Sequence, residues 1–157
     1  MNKELINQSV SVTLPDSFTP MTEAELCRVF QNNDPGRWGA RDQENHIMLT
    51  VMWKNYPPLL SKLAGLKSVC AKNEQLNARG YAGHGYQCGG FFSREVDGFP
   101  AEGYSFSYRV GDILQSAETV LFKLDKAVWS VTCVGRAENR SADHETFSEI
   151  LDGIRFE

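Results

Sequence analysis

Residues 91–134 constrain the fold more than any other part of the chain, because they read as strand after strand with only tight turns between them. Phe91 to Val96 runs into Asp97-Gly98, a pair that tolerates the positive φ of a hairpin turn. Tyr104 to Val110 alternates apolar and polar residues, the period of a strand with one buried face. Thr119 to Leu124 and Ala127 to Val134 flank Asp125-Lys126 as a second hairpin. Consecutive strands favour hairpins, so the sheet they build is mainly antiparallel, with helices packed on it.

The remaining elements fit around that sheet. Val10 to Leu14 alternates strictly and stops at Pro15-Asp16, which predicts a half-buried strand. Thr22 and Glu25 have the spacing of a capping box, in which each side chain bonds the other's unpaired backbone N–H, and Leu26, Val29 and Phe30 give the helix one apolar face. A short strand is expected at Trp38 to Ala40 and a central one at His46 to Trp53, where the apolar run is nearly continuous. Pro57-Pro58 opens a second helix carrying Leu59, Leu63, Leu66 and Cys70 at helical spacing. A third follows Ser141, buries Phe147, Ile150, Leu151 and Ile154, and stops at Gly153. The expectation is an α+β fold, residues 1–157 as one domain, with six or seven strands and helices near 22–31, 58–73 and 142–152. A chain of 157 residues is long enough to bury a sizeable core without disulfides or metals.

That order, with three phrases, resembles the PsbP-like superfamily, which includes thylakoid PsbP proteins, a eukaryotic Ran-binding nuclear import factor and bacterial DcrB-like domains. The phrases are Val12-Thr13-Leu14-Pro15-Asp16-Ser17-Phe18, Val96-Asp97-Gly98-Phe99-Pro100-Ala101, and the stretch from Phe147 to Phe156. The resemblance implies an α/β/α sandwich and a binding or assembly role, such as an adaptor or chaperone. No ligand residues transfer with it.

Charge excludes some partners. A net charge of -4 is unsuited to nucleic acid or to an anionic membrane surface, both of which call for basic patches. No apolar stretch reaches the length of a membrane span, and the first residues do not read as a signal peptide. Cys27, Cys70, Cys88 and Cys133 are widely spaced, which points to buried thiols in a reducing compartment, and hence to the cytoplasm.

No motif implies a reaction, a metal or a cofactor. The densest stretch is Arg79 to Gly90, with five glycines and His84 four residues before Cys88. It reads first as a flexible loop entering a strand with Cys88 facing the core, then as a binding loop, and last as a cysteine nucleophile with a nearby base. Tyr104, Phe106 and Tyr108 share one strand face and are expected in the core. The resulting expectation is a non-catalytic protein-binding module. The alternatives are a small-molecule or peptide carrier and a hydrolase using Cys88. Trp, Tyr and Arg dominate interface energetics, so the expected docking surface lies on two loops. One is Asn33 to Arg41, with Arg37, Trp38 and Arg41. The other is Gly80 to Gly90, with Tyr81, His84 and Tyr86.

Overall fold

The computed structural model describes residues 1–31, 35–55 and 65–157. Strands β1 (Asn2–Ile6), β2 (Val10–Leu14) and β10 (Arg155–Phe156) form a small sheet in the order β1-β2-β10. The main sheet contains β3 (Thr19–Pro20), β4 (Arg37–Asp42), β5 (Ile47–Asn55), β6 (Gln87–Val96), β7 (Phe99–Val110), β8 (Ile113–Leu124) and β9 (Ala127–Arg136). Its order is β3-β4-β5-β9-β8-β7-β6, and every pairing is antiparallel. Helices α1 (Glu23–Phe30), α2 (Leu66–Gly80) and α3 (Arg140–Asp152), with 3-10 turns at Ala82–His84 and Ala137–Asn139, complete the described elements.

The α+β architecture expected from the strand run is the one observed. Both predicted hairpins turn where the sequence placed them: Val96 pairs with Phe99 across Asp97-Gly98, and Leu124 pairs with Ala127 across Asp125-Lys126. Asp97 and Gly98 both take positive φ, at 49° and 79°. The expected capping box also forms, with the Glu25 amide donating to Thr22 Oγ1 at 3.3 Å and the Thr22 amide donating to Glu25 Oε2 at 3.0 Å.

Four local expectations need correction. Val10–Leu14 does not join the large sheet; it is the middle strand of the small one. Its partner β1 was not anticipated, because the turn between them uses Asn7 and Gln8 at positive φ without a glycine. The proposed start of the second helix at Pro57-Pro58 lies outside the described residues. Its end moves from residue 73 to Gly80, because the last turns face the sheet with Asn73 and Asn77, polar residues that an apolar stripe does not include. Cys88, expected in the core, is exposed on β6.

The main sheet is covered on both faces. On one, Leu49, Val51, Val120, Phe122, Trp129 and Val131 pack with Val10, Val12 and Leu14 of the small sheet and with Phe147, Ile150 and Leu151 of α3. On the other, Tyr104, Phe106, Tyr108, Ala117 and Leu121 pack with Val69 and Cys70 of α2. Helix α1 lies over the same side farther along, close enough that a Cβ on Gly39 would sit 3.0 Å from Met21 Sδ and 3.2 Å from Leu26 Cδ2. Tyr104, the most deeply set of the aromatic row, donates its hydroxyl to Asn73 Oδ1 at 2.5 Å and accepts a hydrogen bond from Asn77 Nδ2. Two asparagines one helical turn apart thus dock α2 on the sheet through one phenol.

Two outcomes follow from this packing. Thr22→Ala removes the cap of α1 and lowers stability by about 1 kcal/mol in denaturant unfolding. In the native protein, Cys88 reacts first with an aromatic disulfide reagent, while Cys70 and Cys133 stay unlabelled until unfolding. Burial, reinforced by the charge of Glu102, pushes the Cys70 thiol up to about 11. Burial pushes Cys133 higher still. Peptide mapping that finds Cys70 labelled as fast as Cys88 contradicts this packing.

Candidate functional site

The first expected docking segment is a strand. Alternation along β4 sends Arg37 and Arg41 to the α1 side and Trp38 to the opposite side, so the three do not share a surface. The Arg37 side chain is only 2% exposed. Its guanidinium bonds Glu23 Oε1 at 2.8 Å and Cys27 Sγ at 3.2 Å, and stands 5.6 Å from the Phe30 ring centre. Arg41 pairs with Glu25 at 2.6 Å, the same carboxylate that closes the capping box. Trp38 is half-buried against the core beneath the small sheet. These contacts seat α1 on the sheet edge. Residues 33 and 34 of that segment lie outside the described residues, and from Arg37 it is not an open loop but the strand expected at Trp38 to Ala40, extended to Arg37–Asp42.

The second segment is more compact than a flexible loop. Helix α2 ends at Gly80, a single 3-10 turn spans Ala82–His84, Gly85 takes φ 67°, and β6 begins at Gln87. Tyr81 stacks on Tyr108 with ring centres 4.1 Å apart. Tyr86 stacks on Phe106 at 5.6 Å and donates its hydroxyl to Glu74 at 2.8 Å. Burial and the neighbouring Glu74 push the Tyr86 hydroxyl well above the usual tyrosine range. Both tyrosines therefore extend the aromatic layer under α2, with one side still in solvent. His84 is exposed. Cys88 on β6 pairs with Phe106 on β7, and among the described residues no hydrogen bond joins it to any of the three imidazoles. Among the described residues no group of three His, Cys, Asp or Glu side chains is placed to hold a metal ion.

Several concavities lie outside the expected segments, and two of them are lined in part by β7. A cleft of about 510 Å³ opens where the first turn of α3 crosses β7, β8 and β9. Its polar floor includes Ser105, Ser116, Glu118, Asp143 and His144, with His144 Nδ1 at 2.9 Å from both Glu118 oxygens. Asp143 presses on Gly135, and burial, then the charge of Asp42, holds its carboxyl above the usual range. The adjacent Cys133 thiol is pushed up by burial, then by Asp143 and Glu118, so it stays protonated and is a poor nucleophile. Sequence reasoning missed this cleft because its side chains come from five elements and share no local motif.

The other concavity, about 370 Å³, lies between α2 and the edge strand β6. Its walls are Lys67, Cys70 and Ala71 on the helix and Phe91, Ser93 and Glu102 on the sheet. Ser93 Oγ donates to Glu102 at 2.7 Å, which fixes the acidic wall. Phe91 leans on Tyr104 with ring centres 5.8 Å apart, yet remains 56% exposed. The signal for it in the sequence was the pair Phe91-Phe92 at the start of a strand, where alternation buries only one of the two.

No protein-family model and no curated protein matches the sequence. Solved structures do match in shape. The cyanobacterial PsbP (CyanoP) from Synechocystis sp. PCC 6803 is 12% identical, with a TM-score of 0.75 over 99% of this chain and 92% of that one. The Saccharomyces cerevisiae Ran-binding protein Mog1p is 9% identical, with a TM-score of 0.64 over 99% of this chain and 95% of that one. LpqN, involved in cell envelope biogenesis of Mycobacterium tuberculosis, is 14% identical, with a TM-score of 0.59 over 94% of this chain and 82% of that one. At such identities the likeness concerns the fold, and this chain has the PsbP-like fold that its strand order and three phrases resemble.

Proposed function

We propose that the chain is a non-catalytic protein-binding module and that its partner docks on the side where β6, the end of α2 and the Ala82–His84 turn meet. The observation that carries this reading is Phe91: a large aromatic, 56% exposed, at the mouth of a cleft on a sheet edge. Exposed aromatics beside a concavity are the usual anchors of protein interfaces. Tyr81, His84 and Tyr86 lead directly into β6 and flank the patch, so the proposed surface keeps these three residues. Arg37, Trp38 and Arg41 are left the structural contacts described above.

The shared fold adds support, since Mog1p is a Ran-binding protein. The chemistry of the candidate nucleophiles supports a binding role over a hydrolytic one: the thiols of Cys70 and Cys133 are held protonated, and Cys88 has no hydrogen-bonded imidazole. The reading keeps the cytoplasm as the compartment. None of the four cysteines is in a disulfide, and among the described residues no helix is long and apolar enough to cross a membrane.

The test is affinity capture from the native extract, quantified by mass spectrometry, with wild type, Phe91→Glu and a control, Lys126→Glu, at the β8–β9 turn. Loss of a central anchor is worth about 2 kcal/mol, roughly thirty-fold in affinity. Proteins retained by wild type and by Lys126→Glu should fall away from Phe91→Glu, whose thermal midpoint should stay near wild type. Unchanged retention by Phe91→Glu places the docking surface elsewhere.

A further inference from the structure

The two edges of the main sheet differ in how they are closed. At one edge, β3 is two residues long and ends in Pro20, which has no N–H to offer an incoming strand. At the other, β6 runs for ten residues, and Gln87 to Ser93 contains neither a charge nor a proline. The small sheet is also guarded. β10 is two residues long, and β1 carries Lys3 and Glu4, with Lys3 paired to Glu157 at 3.0 Å. Natural sheets usually blunt long edges with charge, proline or cover, because unpaired N–H and C=O groups template another strand.

Register identifies which backbone groups of β6 face outward. Val96 and Phe99 close a two-residue hairpin as a hydrogen-bonded pair, so alternate residues Glu95, Ser93 and Phe91 turn their N–H and C=O away from β7. Arg94 occupies the Glu95 carbonyl, donating from Nε at 3.0 Å, while its guanidinium also pairs with Asp152 at 2.6 Å. At the other end a bulge between Cys88 and Gly90 interrupts the ladder. Among the described residues the open stretch is therefore Phe91 to Ser93. The side chains of Phe91 and Ser93 lie on the α2 face, opposite Tyr104 and Glu102, and the cleft beside α2 begins there.

We propose that β6 binds an extended segment of a partner protein by strand addition at Phe91 and Ser93, with one apolar side chain of that segment seated in the α2–β6 cleft. This rests on the protein-binding reading and specifies its mode and ligand chemistry. Backbone hydrogen bonds supply the pairing, and the cleft selects one residue of the segment, since alternate side chains point to one face. Lys67 at the mouth of that cleft has no ion pair among the described residues. An acidic residue two positions from the apolar one shares its face and complements Lys67. The recognised pattern is thus apolar-x-acid, in either direction, on an extended chain.

The experiment uses the full chain and a phage-displayed library of random dodecapeptides. Enriched peptides should carry an apolar residue two positions from Asp or Glu. A synthetic copy of the top sequence should slow hydrogen exchange at the Phe91 and Ser93 amides. Ser93→Pro removes one outward N–H and leaves the β7 ladder intact, and Ala71→Trp fills the cleft. Each should weaken that peptide at least ten-fold, and Lys67→Glu should reverse the preference for acid. No enrichment, a consensus without this spacing, or a peptide indifferent to both Ser93→Pro and Ala71→Trp overturns the proposal. So does a wild-type dimer in size-exclusion chromatography that Ser93→Pro dissociates, because the edge is then taken by a second copy. If capture from extract depends on Phe91 but ignores Ser93→Pro and Ala71→Trp, the binding reading stands and strand addition falls. If capture is also indifferent to Phe91→Glu, both fall.

Discussion

A buried tyrosine hydroxyl organises the side of the molecule where the candidate site lies. Tyr104 is wholly enclosed between the sheet and α2, and a phenol left without a partner there would be destabilising by about 1–3 kcal/mol. Asn73 and Asn77 provide the partners, one accepting and one donating. Because they lie four residues apart, they must point at the sheet from the same helix face, which sets the rotation of α2 about its axis. Everything else on that side depends on this setting. It turns Val69 and Cys70 into the aromatic layer and places Lys67 and Ala71 along the outer wall of the β6 cleft. It also brings Tyr81 and Tyr86 onto the rings of Tyr108 and Phe106 at the end of the helix.

The opposite face is closed by packing with little polar bonding. Phe122 and Trp129 stack with 7° between their planes, and Trp53 stacks on Trp129 at 4.9 Å. Helix α3 and the small sheet cover these rings with aliphatic side chains and with Phe147 and Phe156, the latter stacked on Phe122 at 5.2 Å. The molecule is thus asymmetric: an aliphatic and aromatic core on one side, and on the other a tyrosine-rich layer with hydrogen bonds at its rim. An edge strand bordering the second layer inherits its exposed aromatic, Phe91, and a cleft beside it. That combination suits recognition, because β6 is already held in extended form by its ladder to β7.

Strand identity was largely legible, and the reasons are local. Alternation in Tyr104–Val110, the Asp97-Gly98 and Asp125-Lys126 turns and the Thr22–Glu25 box each depend on residues a few positions apart. What was not legible depends on partners distant in sequence. The last turns of α2 carry polar residues because their contact is a phenol 27 and 31 positions away, so an apolar stripe ends too early. Arg37 looks like a surface anchor beside a tryptophan, yet Glu23, Cys27 and Phe30 on α1 enclose it. Of the residues expected at the site, Tyr81, His84 and Tyr86 lie beside the β6 patch, while Phe91, Lys67 and Ala71 were not anticipated. The role proposed for them arises from one strand being last in the sheet, a property of topology that no short window contains.

Strand addition at β6 requires the edge that is open among the described residues to be open in solution, with alternating inward and outward amides. Native-state hydrogen exchange of the unliganded protein, read residue by residue by NMR, measures this directly. The account predicts that the amides of Phe92 and Arg94, bonded to β7, exchange through global unfolding, while those of Phe91 and Ser93 exchange orders of magnitude faster. Uniformly slow exchange from Phe91 to Arg94 would mean that the edge is already covered, and would contradict it.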